Sequence, residues 1–490
     1  MGTVRRAYFM AALEQYCQII ISVAMIFVVS RLLNSEAIGV AVIGLGLGAV
    51  VFTIREFVTS EFLIQRVNIT TQSVRTGTTL VLSLSLAIAA LLCLAAPFIA
   101  AIYNEPRLQA FVYLIAVAGV IEALALPASA LMRRDMQFGI VTRINAGTAI
   151  IYATVTISCA ALGLGFMSFA WGTLGAALMR TALSFHARPQ LWMFRPCLRG
   201  TREIVAFGGY KGASSVLDRF YEALPQLVLG YIMPMSAVGV FNRANIVCGL
   251  PDKFLLSAIF AVAFPAFSLE VRHERSLKAP YLRLLGYISV LFMPATGMLA
   301  ILAHPVVRVS LGGDWLAVVP VLQILAVAAL FSFPCILTFP VLAALGANRD
   351  ACAANFIGRG LSTVVICAAS YHGLIALALS QFVTLPFQAY VSLRFVRRNV
   401  PFAWSELWSV LGRSAVVTAC SMAGPMMVLG LNAFDGDLSV VQTLSCCLLA
   451  AAGWMGGVIA VSHPILDELP RLIGRSLPGF GSIRFWAAPR

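Results

Sequence analysis

The stretch from Gly200 to Pro265 decides how this chain is read, and its residues 207–265 run FGGYKGASSVLDRFYEALPQLVLGYIMPMSAVGVFNRANIVCGLPDKFLLSAIFAVAFP. Two long apolar runs meet at Pro234-Met-Ser. The first carries Asp218, Arg219 and Glu222, and the second carries Arg243. Shifted back by 200 residues, Ala237-Val-Gly239-Val240 lies over Ala37-Ile-Gly39-Val40. A second echo has an offset of 210: Ile324-Leu-Ala-Val-Ala328 repeats Leu114-Ile-Ala-Val-Ala118. The chain therefore reads as one helical module written twice in the same direction. The seam is the basic bridge His186-Ala-Arg-Pro-Gln-Leu-Trp-Met-Phe-Arg-Pro-Cys-Leu-Arg199.

Hydrophobic residues make up 60% of the 490 positions and charged residues 11%, against about a quarter charged in soluble domains. With a mean hydropathy of +0.92, the class that fits is a polytopic membrane protein. Backbone polar groups in hydrocarbon must be satisfied within their own segment, so the apolar runs are helices and the fold class is all-α. Fourteen runs are long enough. They lie near 10–32, 37–62, 76–101, 108–131, 139–162 and 165–186, then 205–232, 237–265, 282–303, 317–343, 352–371, 373–395, 410–431 and 440–462. This predicts a six-helix lobe over 1–186, a basic cytoplasmic linker over 187–202 and a second six-helix lobe over 203–396. Two extra transmembrane helices follow over 397–465, and a cytoplasmic tail over 466–490.

The net charge of +14 would suggest nucleic acid for a soluble chain, but its distribution excludes that partner. With the N-terminus inside, only Arg31, Arg107 and Arg308 fall on outer segments. Arg55, Arg219, Arg243 and Lys253 lie within spans, and the rest of the 34 Lys and Arg lie on inner segments or toward the inner ends of spans. An error of one span would reverse this alternation downstream, so it supports both the count and the orientation, with both termini cytoplasmic. The bridge near 188–202 is also placed to touch anionic membrane lipid. The N-terminal run exceeds a signal-peptide core and is followed by no small-x-small cleavage site, so it reads as a retained first span.

An ionised group at mid-bilayer costs roughly 2.5–3.5 kcal/mol on insertion scales, which makes each one a functional hypothesis. Asp218 and Glu222 share a helical face, and Arg219 is spaced to pair with Glu222; Tyr221 adds a hydroxyl. Glu14 lies on the first span, Arg55-Glu56 on the second and Arg243 on the eighth, the same two spans of each module. The candidate substrate-binding residues are Arg55, Arg219, Arg243, Asp218, Glu222 and Tyr221. The candidates for ion coupling are Glu14, Glu56, Asp218 and Glu222. The alternative is structural: paired charges that buttress a bundle, or side chains that snorkel to an interface. The pair 410–462 is almost free of charge and reads as facing lipid or a partner. No metal or cofactor is expected. The eleven cysteines form no C-x-x-C pair with nearby histidines, and the five histidines are scattered.

Three stretches resemble a known family. They are Pro127-Ala-Ser-Ala-Leu-Met-Arg-Arg-Asp-Met-Gln-Phe138; Leu229-Gly230 through Ala237-Val-Gly-Val-Phe-Asn-Arg-Ala244 to Phe264-Pro265-Ala266; and Leu311-Gly-Gly-Asp-Trp315 through Pro320-Val-Leu-Gln-Ile-Leu325 to Ala344-Leu-Gly346. In this order they are similar to the polysaccharide transporter family of the multidrug/oligosaccharidyl-lipid/polysaccharide exporter superfamily, the flippases of lipid-linked sugar repeat units. Members often carry Arg-Asn-x-Asp just before the Leu-Gly; here those positions are Glu222-Ala-Leu-Pro225, with Asp218-Arg219 one turn earlier. The resemblance implies two pseudo-symmetric six-helix lobes around a central cavity lined by spans one and seven, plus two C-terminal helices. It also implies a lipid-linked oligosaccharide substrate and an inner-membrane location. Polysaccharide polymerase and export machinery are the implied partners. The rival readings are a cation-coupled multidrug exporter of the same superfamily, a membrane glycosyltransferase, polymerase or ligase, and a non-transporting assembly scaffold. An enzyme would need a site loop outside the bilayer, and the longest outer loop, around His304–Trp315, is short; no enzymatic activity is expected.

Overall fold

The computed structural model describes residues 2–55, 69–432 and 437–467, which form helices and connecting turns with no strand among them. The first helices are α1 (Gly2–Leu32), α2 (Ser35–Thr53), α3 (Thr71–Ile102), α4 (Leu108–Arg134), α5 (Phe138–Ala161), α6 (Met167–Ala187) and α7 (Thr201–Ile232). They are followed by α8 (Met235–Cys248), α9 (Leu250–Arg272), α10 (Lys278–Ile301), α11 (Ala303–Ser310), α12 (Val318–Ala329) and α13 (Thr338–Ala344). The last are α14 (Asn348–Ser370), α15 (Leu374–Leu379), α16 (Gln381–Asn399), α17 (Trp404–Leu431) and α18 (Val440–Ala460).

Every one of the apolar runs carries a helix or a broken helix pair. Among the described residues ten helices are long and apolar enough to cross a membrane. The count is eleven if Val318–Ala329 and Phe333–Ala344, bent by 53°, form one span. The expected fourteen would also need α6, α7 and the pair α8–α9. Arg180 lowers the hydropathy of α6, and Asp218, Arg219 and Glu222 that of α7, while α8 and the start of α9 carry Arg243, Asp252 and Lys253.

Contacts divide the chain into two compact units, Met1–Asn242 with Ser310–Asp314 and Arg243–Val309 with Trp315–Arg490. In the first unit α1 packs on α5, α5 on α6, α6 on α4, α4 on α3, and α2 on both α4 and α7. Small residues set the α2–α4 distance. A Cβ at Gly44 would lie 2.3 Å from the Phe111 ring, and one at Gly119 would lie 2.1 Å from the Phe52 ring. Such close approach replaces the apolar attraction that helices lose in lipid. The bridge after α6 is fastened to the start of α3. Arg75 Nε donates to Arg195 O (3.0 Å), Thr76 Oγ1 donates to Arg199 O (2.8 Å), and the Cys197 N–H donates to Thr79 Oγ1 (3.1 Å). Met193 of the bridge and Ile204 of α7 are buried in the same cluster as Val74, Leu131 and Ile144.

In the second unit Tyr281, Leu285, Phe292, Phe333, Val341 and Val396 form the main core. The last two helices, α17 and α18, pack against each other, and α17 packs on α10. Ser289 and Ser414 share a buried 2.7 Å hydrogen bond between hydroxyls, and Trp454 Nε1 donates to Val290 O at 2.8 Å.

The repeat survives at the level of single turns. The chain leaves α4 through Met136 at φ 57° and leaves α13 through Gly346 at φ 72°, an offset of 210. In both places the same three amides close the helix. Asp135, Met136 and Gln137 donate to Leu131, Arg133 and Met132, and Leu345, Gly346 and Ala347 donate to Val341, Ala343 and Leu342. This is the Schellman closure, which satisfies carbonyls that the helix end leaves open. Gly163 (φ 82°) and Gly373 (φ 99°) repeat the correspondence.

At the offset of 200 the two copies touch. A Cβ on Gly39 of α2 would lie 1.9 Å from the carbonyl oxygen of Met235, and one on Gly239 of α8 would lie 2.0 Å from that of Ser35. Each helix thus rests its fifth residue on the first residue of the other. The contact is reciprocal, and both of its sides lie in the first unit.

Candidate functional site

The first unit holds a cavity of about 790 Å³. Its lining on α4 runs from Ile115 to Arg133, so the cavity follows that helix for about 27 Å at the α-helical rise. Among the described residues four arginines line it, Arg55, Arg133, Arg180 and Arg219, against one carboxylate, Glu122. The neutral polar groups include Asn145, Tyr152, Thr148 and Thr173.

Arg55 sits just past the end of α2. Its Nε donates to Phe52 O (3.0 Å), its Nη1 to Gly119 O (3.1 Å) and its Nη2 to Glu122 Oε2 (3.2 Å). The guanidinium carbon lies 4.8 Å from the centre of the Phe52 ring. Gly119 makes this possible: without a side chain it admits the Phe52 ring and leaves its carbonyl open to Arg55. Glu122 follows Gly119 by three residues and so shares its face of α4. The second oxygen of Glu122, Oε1, lies 3.5 Å from Arg180 Nη1. Thr181, next to Arg180, donates its hydroxyl to Ile121 O at 2.8 Å and clips α6 to α4 at this level. Arg55 is mostly buried, with 14% of its side chain exposed; Arg180 and Glu122 are about one-third exposed. One carboxylate thus bridges two guanidinium groups from different helices, facing an open volume. Planar guanidinium donors on a partly desolvated wall suit a phosphate or carboxylate ligand.

The residues singled out from the sequence are distributed around this geometry. Arg55 and Arg219 line the cavity. Arg219 Nη1 reaches Glu222 Oε2 at 3.1 Å, and both side chains are more than half exposed. Asp218 and Tyr221 lie on the same helix, partly buried, and are not among the lining residues. Arg243 is in the second unit, buried to 3% exposure, with its guanidinium carbon 5.9 Å from the centre of the buried Trp315 ring. Glu56 lies outside the described residues, and the side chain of Glu14 outside the described side chains. Glu122 and Arg180 were missed by sequence reasoning. Their signal was present, since each is an ionisable residue inside an apolar run. What was not legible is that positions 55, 122 and 180 converge, because no helical spacing links residues on three separate helices. Among the described residues no group of three His, Cys, Asp or Glu side chains is placed to hold a metal.

A family described as "Polysaccharide biosynthesis protein" matches residues 28–320, more than half of the chain. The lipopolysaccharide biosynthesis protein WzxC of Escherichia coli (strain K12) is 25% identical over 307 residues, covering 62% of this chain and 62% of WzxC. The succinoglycan biosynthesis transport protein ExoT of Rhizobium meliloti (strain 1021) is 26% identical over 195 residues, 40% of this chain and 39% of ExoT. The match thus spans less than two-thirds of the length of either relative. The lipid II flippase MurJ, in an inward closed conformation, superposes with a TM-score of 0.73 at 12% identity, over 95% of this chain and 99% of MurJ. At that identity the likeness is one of fold. An all-helical, multi-pass membrane architecture of this kind, joined to a family match over more than half its length, places the chain in the polysaccharide biosynthesis protein family.

Proposed function

We propose that this protein is a flippase that moves polyprenyl-pyrophosphate-linked oligosaccharide repeat units from the cytoplasmic to the outer leaflet of a bacterial inner membrane by alternating access. Its product would feed exopolysaccharide or surface polysaccharide synthesis, with a polymerase and export machinery downstream. The observation that carries this reading is the cavity lined, among the described residues, by four arginines and one carboxylate. A pyrophosphate ester is a dianion that guanidinium groups bind in bidentate fashion, while apolar helices flank a polyprenyl tail at little cost. Arg55 and Arg180 would hold the pyrophosphate, with Arg219 and Arg133 as further cationic contacts. A multidrug exporter would need the opposite field, because this excess of arginine repels a cationic drug. The relatives named as a lipopolysaccharide biosynthesis protein and a succinoglycan biosynthesis transport protein favour the same reading.

The test is a leaflet-resolved assay with fluorescent lipid-linked sugar in vesicles containing the purified protein. Wild type should carry the label across the bilayer, and the Arg55→Ala variant should not. Equal rates for the two would remove the cavity from the transport path. The proposed orientation, with both termini cytoplasmic, is checked by reporter fusions after Asn34 and Arg202. These should report outside and inside respectively.

A further inference from the structure

We infer that Glu122 is a displaceable counter-ion, a carboxylate that holds the cavity's anion site until a ligand arrives and sets how tightly a phosphate-bearing ligand is held and how readily it leaves. This rests on the pyrophosphate reading proposed above, and it assigns the site a competitor of its own. The geometry separates what is fixed from what can exchange. Two of the three hydrogen bonds of Arg55 go to backbone carbonyls, Phe52 O at 3.0 Å and Gly119 O at 3.1 Å, which a ligand does not displace. The third, at 3.2 Å, goes to Glu122. The contact of Arg180 with the same carboxylate is longer, at 3.5 Å, and both side chains are about one-third exposed to the cavity.

The arginines are therefore aimed by the scaffold, and the carboxylate is their replaceable partner. Each Glu122 oxygen takes one guanidinium, the same division that two oxygens of a phosphate would make between two arginines. An arriving anion meets Glu122 as a like charge in the same seat. One of the two must withdraw, and the ligand carries the larger charge. The free energy of breaking the Glu122 pairs is subtracted from binding and returned on release. By linkage, whatever weakens the carboxylate's hold strengthens the ligand's by the same factor. A carrier benefits from this arrangement, because a dianion held by unopposed arginines would bind well and leave slowly.

The experiment titrates inorganic pyrophosphate into the purified full-length protein in detergent by calorimetry, for wild type, Glu122→Gln and Arg180→Gln. Glu122→Gln, nearly isosteric and uncharged, should bind roughly five- to thirty-fold tighter. Arg180→Gln should bind roughly tenfold more weakly. In the vesicle assay Glu122→Gln should transport labelled lipid-linked sugar more slowly than wild type at saturating substrate. Unchanged or weaker pyrophosphate binding by Glu122→Gln, with wild-type elution and melting, overturns the inference and makes Glu122 a structural ion pair. Should Glu122→Gln fail to fold, Glu122→Asp takes its place. That variant withdraws the charge by one methylene and is expected to bind tighter by a smaller factor, so equal or weaker binding again overturns the inference. The two readings fail separately. The expected binding pattern without transport of the lipid-linked sugar refutes the substrate, whereas transport without any effect at Glu122 refutes the counter-ion.

Discussion

Gly39→Ala and Gly239→Ala should destabilise the protein by similar amounts, and the double variant should cost less than their sum. The added Cβ would lie 1.9 Å from Met235 O in one case and 2.0 Å from Ser35 O in the other, where ordinary contact begins near 3.4 Å. The shortfall is about 1.5 Å, and the obstacle is backbone, so no side chain can rotate away. Overpacking of this kind costs about 1–3 kcal/mol, and a backbone obstacle puts it near the upper end. Alanine recovers about 0.8–1 kcal/mol of helix propensity. Each single variant should therefore lose about 2 kcal/mol. Once one alanine has pushed the starts of α2 and α8 apart, the second finds its space partly made, so the double should lose about 2–3 kcal/mol.

Thermal unfolding in detergent would show each single loss as roughly 2–6 °C. Gly412 of α17 is the control: a Cβ there meets nothing within 4 Å, so Gly412→Ala should be neutral or stabilising by up to about 1 kcal/mol. If Gly39→Ala and Gly412→Ala shift the melting temperature alike, or if the double is strictly additive, the reciprocal contact is not what holds these helix starts together.

Three further outcomes follow from single interactions. Arg55→Lys should restore only part of the transport lost in Arg55→Ala, since an ammonium keeps the charge but cannot reach Phe52 O, Gly119 O and Glu122 together from one planar group; full restoration in the vesicle assay would mean that charge alone suffices. His463, in the turn after α18, accepts the Ile465 N–H on Nδ1, and burial, helped by the nearby Arg413, pushes its pKa down to about 4. The unfolded chain then binds the proton more readily, so the stabilisation is whole above the unfolded value near 6.5 and is lost as pH falls toward 4. At pH 5 the loss is about 2 kcal/mol, and His463→Gln should flatten the melting temperature between pH 7.5 and 5. Arg75→Ala removes the bonds to Arg195 O and Pro196 O, and limited proteolysis should then cut the 188–199 bridge faster than in wild type.

The fold was legible because a membrane reduces the choices. Hydrocarbon forces long apolar runs into helices, and the basic residues at their ends gave order to the count. The Gly39 and Gly239 echo was visible as three matching letters in four, and the glycine in it is explained by a backbone contact that neither copy can make with a larger residue. The site was legible by half. Arg55 and Arg219 stood out as charges where lipid should exclude them, and both line the cavity. Glu122 and Arg180 are no less anomalous in their runs. Local spacing does not single them out, whereas the Asp218–Glu222 cluster is dense along one helix. Density along one helix reports a face; a cavity is assembled by residues far apart in the chain.

The two copies share turns but not this chemistry, and that difference bears on what the ion cluster is for. At the offset of 210, Glu122 and Arg180 correspond to Ser332 and Tyr390; at the offset of 200, Arg55 corresponds to Leu255. The second copy closes its helices with the same hydrogen bonds and builds a packed core without the cluster. The fold therefore does not require the cluster. Removing one arginine would leave a carboxylate short of a partner in a partly buried place, a cost that confuses stability with function. Removing all three ions together leaves no charge stranded. The triple variant Arg55→Leu, Glu122→Ser, Arg180→Tyr, which copies the second module's own residues, should reach the membrane at near wild-type levels and melt within a few degrees of wild type. It should carry no lipid-linked sugar across vesicles and show no binding of inorganic pyrophosphate. If it fails to accumulate in the membrane, the cluster is part of the scaffold after all. If it accumulates and still transports, the anion is held elsewhere.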